Sequence, residues 1–150
     1  MKYGRYRAAC AVMAMSMAFA GCGEKSPLDA KNPVTIEIWN YYNGDQLTAF
    51  DSLVEEFNAT VGKEEGIIVE SKSQGSVNDL ETNVLAALRE EVGAAELPNI
   101  FMAYADTAYT ADELGGIVDL RGYLTDEEVA LYIDSYIQEG DFDGNGEIKI

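Results

Sequence analysis

The sequence predicts an α/β protein with a mainly parallel sheet flanked by helices, on three observations. Short apolar runs, alternating, β-branched or continuous, recur at 34–39, 67–70 and 100–104. Each is followed by a polar loop and then by apolar residues spaced three and four apart, the period of a helix laying one stripe on a sheet. Strands that alternate with helices pair in parallel through right-handed crossovers.

The first unit runs from Val34 to Asn58. In Val34-Thr35-Ile36-Glu37-Ile38-Trp39 the aliphatic residues alternate, as in a strand with one face in a core. Leu47, Phe50, Val54 and Phe57 mark the helix, and the loop between is Asn40-Tyr41-Tyr42-Asn43-Gly44-Asp45-Gln46. Gly44 permits a sharp turn, and Asn43 or Asp45 is placed to cap the helix. Two tyrosines and an asparagine beside the cap need a further reason.

The second unit opens after Gly66 with the β-branched run Ile67-Ile68-Val69-Glu70, and Val77, Leu80, Val84 and Leu88 follow at helical spacing. Ser76 with Asp79 three residues on is a capping-box signature, leaving Ser71-Lys72-Ser73-Gln74-Gly75 as the loop. The third unit begins at Pro98. Ile100-Phe101-Met102-Ala103-Tyr104 is continuously apolar, as expected of a central parallel strand covered on both faces. Ala105-Asp106-Thr107 is its loop, and a short helix to Leu114 stops at Gly115-Gly116. Ile117-Val118-Asp119-Leu120 turns back towards the core. Thr125 with Glu128 is a second capping box, and Val129, Ile133, Tyr136 and Ile137 predict one further helix ending by Gly140, before a last strand at Ile148-Lys149-Ile150.

Ahead of these units, Lys2, Arg5 and Arg7 precede an apolar run from Ala8 to Ala20, too short to span a bilayer and built like a secretory signal. Residues 1–21 are expected to be this signal, 22–33 a polar tether with Pro27 and Pro33, and 34–150 the folded part. Cys10 leaves with the signal, so Cys22 has no disulfide partner in the chain. Removing three of the 10 basic residues with the signal leaves 7 against 27 acidic ones, a net charge of −20. That argues against nucleic acid as a partner and against electrostatic docking on anionic lipid. It also disfavours an anionic ligand unless a local cation compensates.

In open parallel sheets ligands bind beyond the carboxyl ends of the strands, where the strand order reverses. The three loops leave from those ends and would bring together Tyr41, Tyr42, Asn43, Gln74, Ser76, Asp106 and Thr107. Tyrosines offer flat apolar faces, while amide, carboxylate and hydroxyl groups supply donors and acceptors. A neutral sugar or polyol has that mixed demand. The plainer reading of each residue taken singly is a cap or a turn.

Two stretches carry a resemblance. Phe19-Ala20-Gly21-Cys22 resembles the lipobox of bacterial lipoproteins, with Phe19 where leucine is usual, which implies lipidation of Cys22 and a two-chain membrane anchor. Ile36 to Gly44, Leu53-Val54-Glu55-Glu56-Phe57-Asn58, Ser73 to Leu80, Leu97-Pro98-Asn99-Ile100-Phe101 and Tyr104-Ala105-Asp106-Thr107 resemble the N-terminal part of extracellular solute-binding proteins of family 1. Those are substrate-binding lipoproteins of ABC importers for sugars and related solutes such as glycerol phosphates. The resemblance implies a periplasmic-binding-protein-like fold of type II, of which this chain is an incomplete first lobe, since family members are more than twice as long. It further implies capture of a carbohydrate or polyol, delivery to an ABC permease, and a lipid-anchored place on the outer face of the cell membrane of a Gram-positive bacterium. No cofactor is expected.

Two other functions compete, beside the reading that the chain is a truncated fragment that binds nothing. Asp141, Asp143 and Asn145, with Gly146, occupy positions 1, 3, 5 and 6 of an EF-hand or dockerin calcium loop, which would make the chain a calcium-dependent interaction module. A tight Asn-Gly turn between two short strands is the favoured account, because the carboxylate at position 12 is missing. An enzyme is disfavoured: the chain has no histidine, Cys22 is assigned to the anchor, and no acidic pair stands out for glycoside chemistry.

Overall fold

A computed structural model describes residues 28–142 and 144–149 of the chain. The signal run, Cys22, the start of the tether, Asp143 and Ile150 lie outside the described residues. Three strands, β1 (Val34–Asn40), β2 (Ile67–Ser73) and β3 (Ile100–Phe101), form one parallel sheet in the order β2-β1-β3. β1 pairs along its whole length with β2, from Val34 opposite Ile67 to Asn40 opposite Ser73, and at its carboxyl end with β3, Ile38 opposite Ile100. The helices are α1 (Gly44–Ala59), α2 (Val61–Glu65), α3 (Val77–Leu88), α4 (Ala105–Glu113), α5 (Asp126–Val129) and α6 (Asp134–Glu139).

The core lies under α3. Trp39, Leu80, Val84 and Ala87 are buried together, with Tyr41, Leu88, Leu97, Phe101 and Met102 packed around them. Leu80, Val84 and Ala87 recur at four and three, so α3 lays its stripe on the sheet as its sequence requires. On α1 the predicted positions Leu47, Phe50, Val54 and Phe57 are half-buried, and α1 and α2 pack against β2. Asn58, near the end of α1, uses its side-chain amide as a short extra strand. Its Oδ1 accepts from Val69 N–H at 2.8 Å and its Nδ2 donates to Val69 O at 2.9 Å, which satisfies backbone groups on the free edge of β2.

Residues 28–33 close a turn around Asp29, whose carboxylate accepts from Lys31 N–H at 2.9 Å and Asn32 Nδ2 at 2.8 Å. This turn sits directly on Gly66, where a Cβ would lie 2.4 Å from the Asp29 carbonyl, and Gly66 has φ +79°. Both conditions require glycine there.

Four expectations are corrected. β2 runs three residues further, through Ser73, because Ser71, Lys72 and Ser73 find ladder partners in Ile38, Trp39 and Asn40. β3 is an edge strand of two residues, not a central one of five, and Ile100 is 49 % exposed. Its continuous apolar run reflects Phe101 and Met102 turning onto the α3 core while Met102 N–H makes one last bond to Trp39 O at 3.0 Å. The helix expected through Val129 and Ile137 is broken into α5 and α6. Ile133 and Tyr136 are 62 % and 63 % exposed, so that stripe has little to bury against, and burial is what sustains a helix of this length. Finally, Asn145-Gly146 does not join two strands: residues 141–149 contain none among the described residues, although Ile148 is buried and accepts from Leu120 N–H at 2.8 Å.

Candidate functional site

All three strands point their carboxyl ends to one edge of the sheet, and β1 lies between the other two, so the chain order reverses there. The centre of that edge is Asn40, which is fully buried. Its Nδ2 donates to Ser71 Oγ at 3.0 Å, its Oδ1 accepts from Tyr42 N–H at 3.0 Å, and its carbonyl accepts from Gln74 N–H at 2.7 Å. One side chain and one carbonyl thus tie the first loop to the second. Ser73 Oγ completes the tie by donating to Tyr42 O at 2.5 Å and accepting from Gly75 N–H at 3.2 Å.

The first loop presents a cluster of rings. Tyr41 and Tyr42 meet edge to face at 5.3 Å, Tyr42 meets Phe50 of α1 at 5.4 Å, and Tyr41 lies nearly parallel to Tyr104 at 6.4 Å and 14°. Burial pushes the Tyr41 hydroxyl above the usual phenol range, and the neighbouring Tyr104 and Tyr42 add to it, so it stays protonated and able to donate. Asn43 holds the N-cap position of α1 without capping it by its side chain; its Nδ2 instead donates across to Gly75 O at 3.3 Å.

The second loop contributes Gln74, Gly75 and Ser76. Ser76 Oγ accepts from Asp79 N–H at 3.1 Å, the expected cap, and donates to Asp79 Oδ2 at 2.6 Å. The reciprocal half of the box is therefore hydroxyl to carboxylate. At Thr125, where the third residue on is a glutamate, Oε2 of Glu128 reaches the backbone N–H of the cap at 2.8 Å. The shorter aspartate makes the hydroxyl contact alone, while the longer glutamate makes both, its Oε2 also accepting from the Thr125 hydroxyl at 2.9 Å. Gln74 turns away from the tyrosines: its Oε1 accepts from Asn83 Nδ2 at 2.8 Å, and it lines a separate groove of about 380 Å³ with Glu37, Trp39 and Lys72.

Asp106 and Thr107 belong to the first turn of α4, not to a loop. Asp106 is exposed, its Oδ1 accepting from Thr107 N–H at 2.9 Å, whereas Thr107 is 6 % exposed and faces a niche also lined by Tyr41, Val77, Leu80, Glu81, Met102, Ala103 and Tyr104. The niche holds about 10 Å³, room for one water-sized group. The structure therefore joins Tyr41, Tyr42, Asn43 and Ser76 in one linked edge with Thr107 beside them, leaves Asp106 at the rim, and directs Gln74 to the neighbouring groove. Tyr104 and Glu81 are additions. Tyr104 was legible as a tyrosine ending an apolar run before a helix; nothing local marks Glu81, which arrives by lying one turn after the Ser76 cap.

The edge is electronegative. Its acids are Asp79, bonded to Ser76, Glu81, on the niche, and Asp106, in the first turn of α4, and the nearby Lys72 is committed to an ion pair with Glu37. In the distal loop, Asp141 Oδ2 accepts from Gly146 N–H at 3.1 Å and Asn145 Oδ1 from Glu147 N–H at 2.8 Å. Asp141 Oδ1 is buried without a hydrogen-bond partner, Asp143 lies outside the described residues, and no group of three metal-ligating side chains occurs among the described ones. None of the described helices is long and apolar enough to cross a membrane.

No protein-family model matches the chain, and no curated protein does. Solved structures do. A cyclic alpha-maltosyl-1,6-maltose binding protein from Arthrobacter globiformis superimposes with a TM-score of 0.63 at 23 % identity, over 77 % of this chain and 27 % of that one. A family 1 extracellular solute-binding protein from Bifidobacterium longum subsp. infantis does so with a TM-score of 0.53 at 14 % identity, over 79 % of this chain and 27 % of that one. The fold is thus periplasmic-binding-protein-like, and the chain spans about a quarter of the length of these neighbours, both of which are binding proteins.

Proposed function

We propose that the chain is part of a solute-binding protein of an ABC importer, of the extracellular family 1 type, which takes up a neutral carbohydrate or related polyol outside the cell. The observation that carries this reading is the convergence of three parallel strand ends on a ring cluster, Tyr41, Tyr42 and Tyr104, set among hydroxyl, amide and carboxylate groups. The open faces of such rings match the C–H faces of a sugar, and the surrounding donors and acceptors match its hydroxyls. Support comes also from the motifs at Ile36–Gly44 and Ser73–Leu80, and from the two binding proteins that share the fold. Binding is the role the site supports, because its polar groups are placed to hold a ligand and no activated nucleophile or base stands among them. Ligand capture would occur against a second lobe, and the closed form would be handed to a membrane permease.

Lipidation at Cys22 would hold the protein on the outer face of the membrane. Palmitate labelling of the wild type and of Cys22→Ser in cells tests this, with label expected only on the former. Calorimetry with a panel of neutral sugars and polyols tests binding. Heat is expected for at least one of them, weakened tenfold or more, on the order of one lost stacking contact, in Tyr41→Ala. Heat with calcium and none with any sugar would overturn the reading in favour of the loop at Asp141 and Asn145.

A further inference from the structure

We infer that Glu81 is a specificity-determining residue which, with Thr107, makes the tyrosine niche a receptor for one neutral hydroxyl of the ligand and a barrier to phosphorylated or otherwise anionic solutes. This deepens the solute-binding reading and rests on it.

Three observations support the assignment. The first is size. Tyr41, Glu81, Tyr104 and Thr107 enclose only about 10 Å³, which admits a single hydroxyl or water while the rest of a ligand stays outside, against the open ring faces.

The second is which polar groups are uncommitted. Around this edge Asp79 is held by Ser76, Asp106 by the Thr107 N–H, Asn43 by Gly75, Asn40 by Ser71 and Tyr42, and Gln74 by Asn83. Glu81 is half-buried, lines the niche and has no hydrogen bond or ion pair among the described residues. The Thr107 side chain is likewise without a hydrogen bond among them, in a residue only 6 % exposed. A carboxylate is an acceptor only, and a threonine hydroxyl both donates and accepts. Together they complement a ligand hydroxyl, which donates to Glu81 and accepts from Thr107.

The third is charge. Lys72, the basic residue that lies near this edge, is paired with Glu37 and lines the neighbouring groove, while Glu81 lines the niche itself. No lysine or arginine lines the niche, so an anion brought here meets the Glu81 carboxylate in a partly desolvated place. Sequence charge alone disfavoured anions in general; the niche identifies the group that does the rejecting.

The experiment is calorimetry of the purified protein with its second lobe, as wild type and as Glu81→Gln, against glucose, maltose and glycerol on one side and glucose 6-phosphate and glycerol 3-phosphate on the other. Glutamine keeps the shape and removes the charge. The expected result is wild-type binding confined to neutral solutes, a loss of about tenfold in affinity for them in Glu81→Gln, as fits a charge-assisted bond exchanged for a neutral one, and measurable binding of a phosphorylated solute in the variant. Wild-type binding of a neutral solute with affinity and selectivity unchanged in Glu81→Gln overturns the inference and leaves the solute-binding reading standing. So does wild-type binding of either phosphate as tightly as its neutral counterpart. A wild type that binds none of the five overturns the solute-binding reading itself, and the inference with it.

Discussion

Replacing Asn40 by alanine is the most incisive perturbation of this fold, because one buried amide joins the central strand to both site loops. The variant loses the Nδ2 bond to Ser71 at 3.0 Å and the Oδ1 bond from Tyr42 N–H at 3.0 Å. Each is worth about 1 kcal/mol net, and leaving the partly buried Tyr42 N–H unpaired costs roughly 1 kcal/mol more, so the destabilisation should be about 3 kcal/mol. At an m value of about 2 kcal/mol/M for a chain of this size, the urea midpoint should fall by roughly 1.5 M. Trp39, the single tryptophan and 3 % exposed, reports unfolding by fluorescence, and circular dichroism at 222 nm checks that the transition is global. Ser71→Ala isolates one of the two bonds and should cost about 1 kcal/mol; the double variant should show a coupling of similar size with Asn40→Ala. The tie also positions Tyr42, so any sugar affinity should fall with stability. A midpoint within 0.3 M of wild type, about 0.6 kcal/mol on the same slope, would mean that Asn40 is not the clamp described, and the linkage of the two loops would have to be sought in Ser73 alone.

Further outcomes follow from other parts of the chain. Glu90 follows the last turn of α3 with φ 53°, the left-handed conformation that helices usually close with glycine. Glu90→Gly relieves about 1 to 2 kcal/mol of backbone strain and gives back roughly half of that through a freer unfolded chain, so a net gain near 0.5 kcal/mol should appear as a higher urea midpoint; a lower midpoint would refute the strain argument. The Lys72 ammonium bonded to Glu37 holds that carboxyl below the ordinary glutamate value of 4.5, against the opposing effect of burial and with help from Trp39 Nε1. Glu128 is lowered in the same direction by the Thr125 N–H and hydroxyl. A depressed folded value means stabilisation that is present above about pH 4.5 and lost as pH falls through the folded value. The wild-type urea midpoint should therefore decline below that pH, and Glu37→Gln should decline less; parallel pH profiles for the two proteins would remove Glu37 from the account.

Much of this architecture is written locally. The order of strands and helices followed from periods of two and three-to-four, the starts of α3 and α5 from Ser76 and Thr125, and the end of α4 from its glycines, because each depends on residues within a few positions of one another. The same locality placed three loops at one sheet edge once the strands were taken as parallel, which is why Tyr41, Tyr42, Asn43 and Ser76 were legible as neighbours. What the tertiary structure alone decided depends on pairing across distance. Register with β1 extended β2 through Ser73 and made β3 a two-residue edge. Gln74 left the ring cluster because an amide nine residues on, Asn83, offered a better partner than open solvent. Helical spacing at Val129 and Ile137 did not become one helix, since spacing supplies a stripe but only a facing surface supplies its burial. Glu81 entered the site for the same reason in reverse: no local pattern marks it, and packing of α3 against the end of β1 brings it, with Tyr104, to Tyr41.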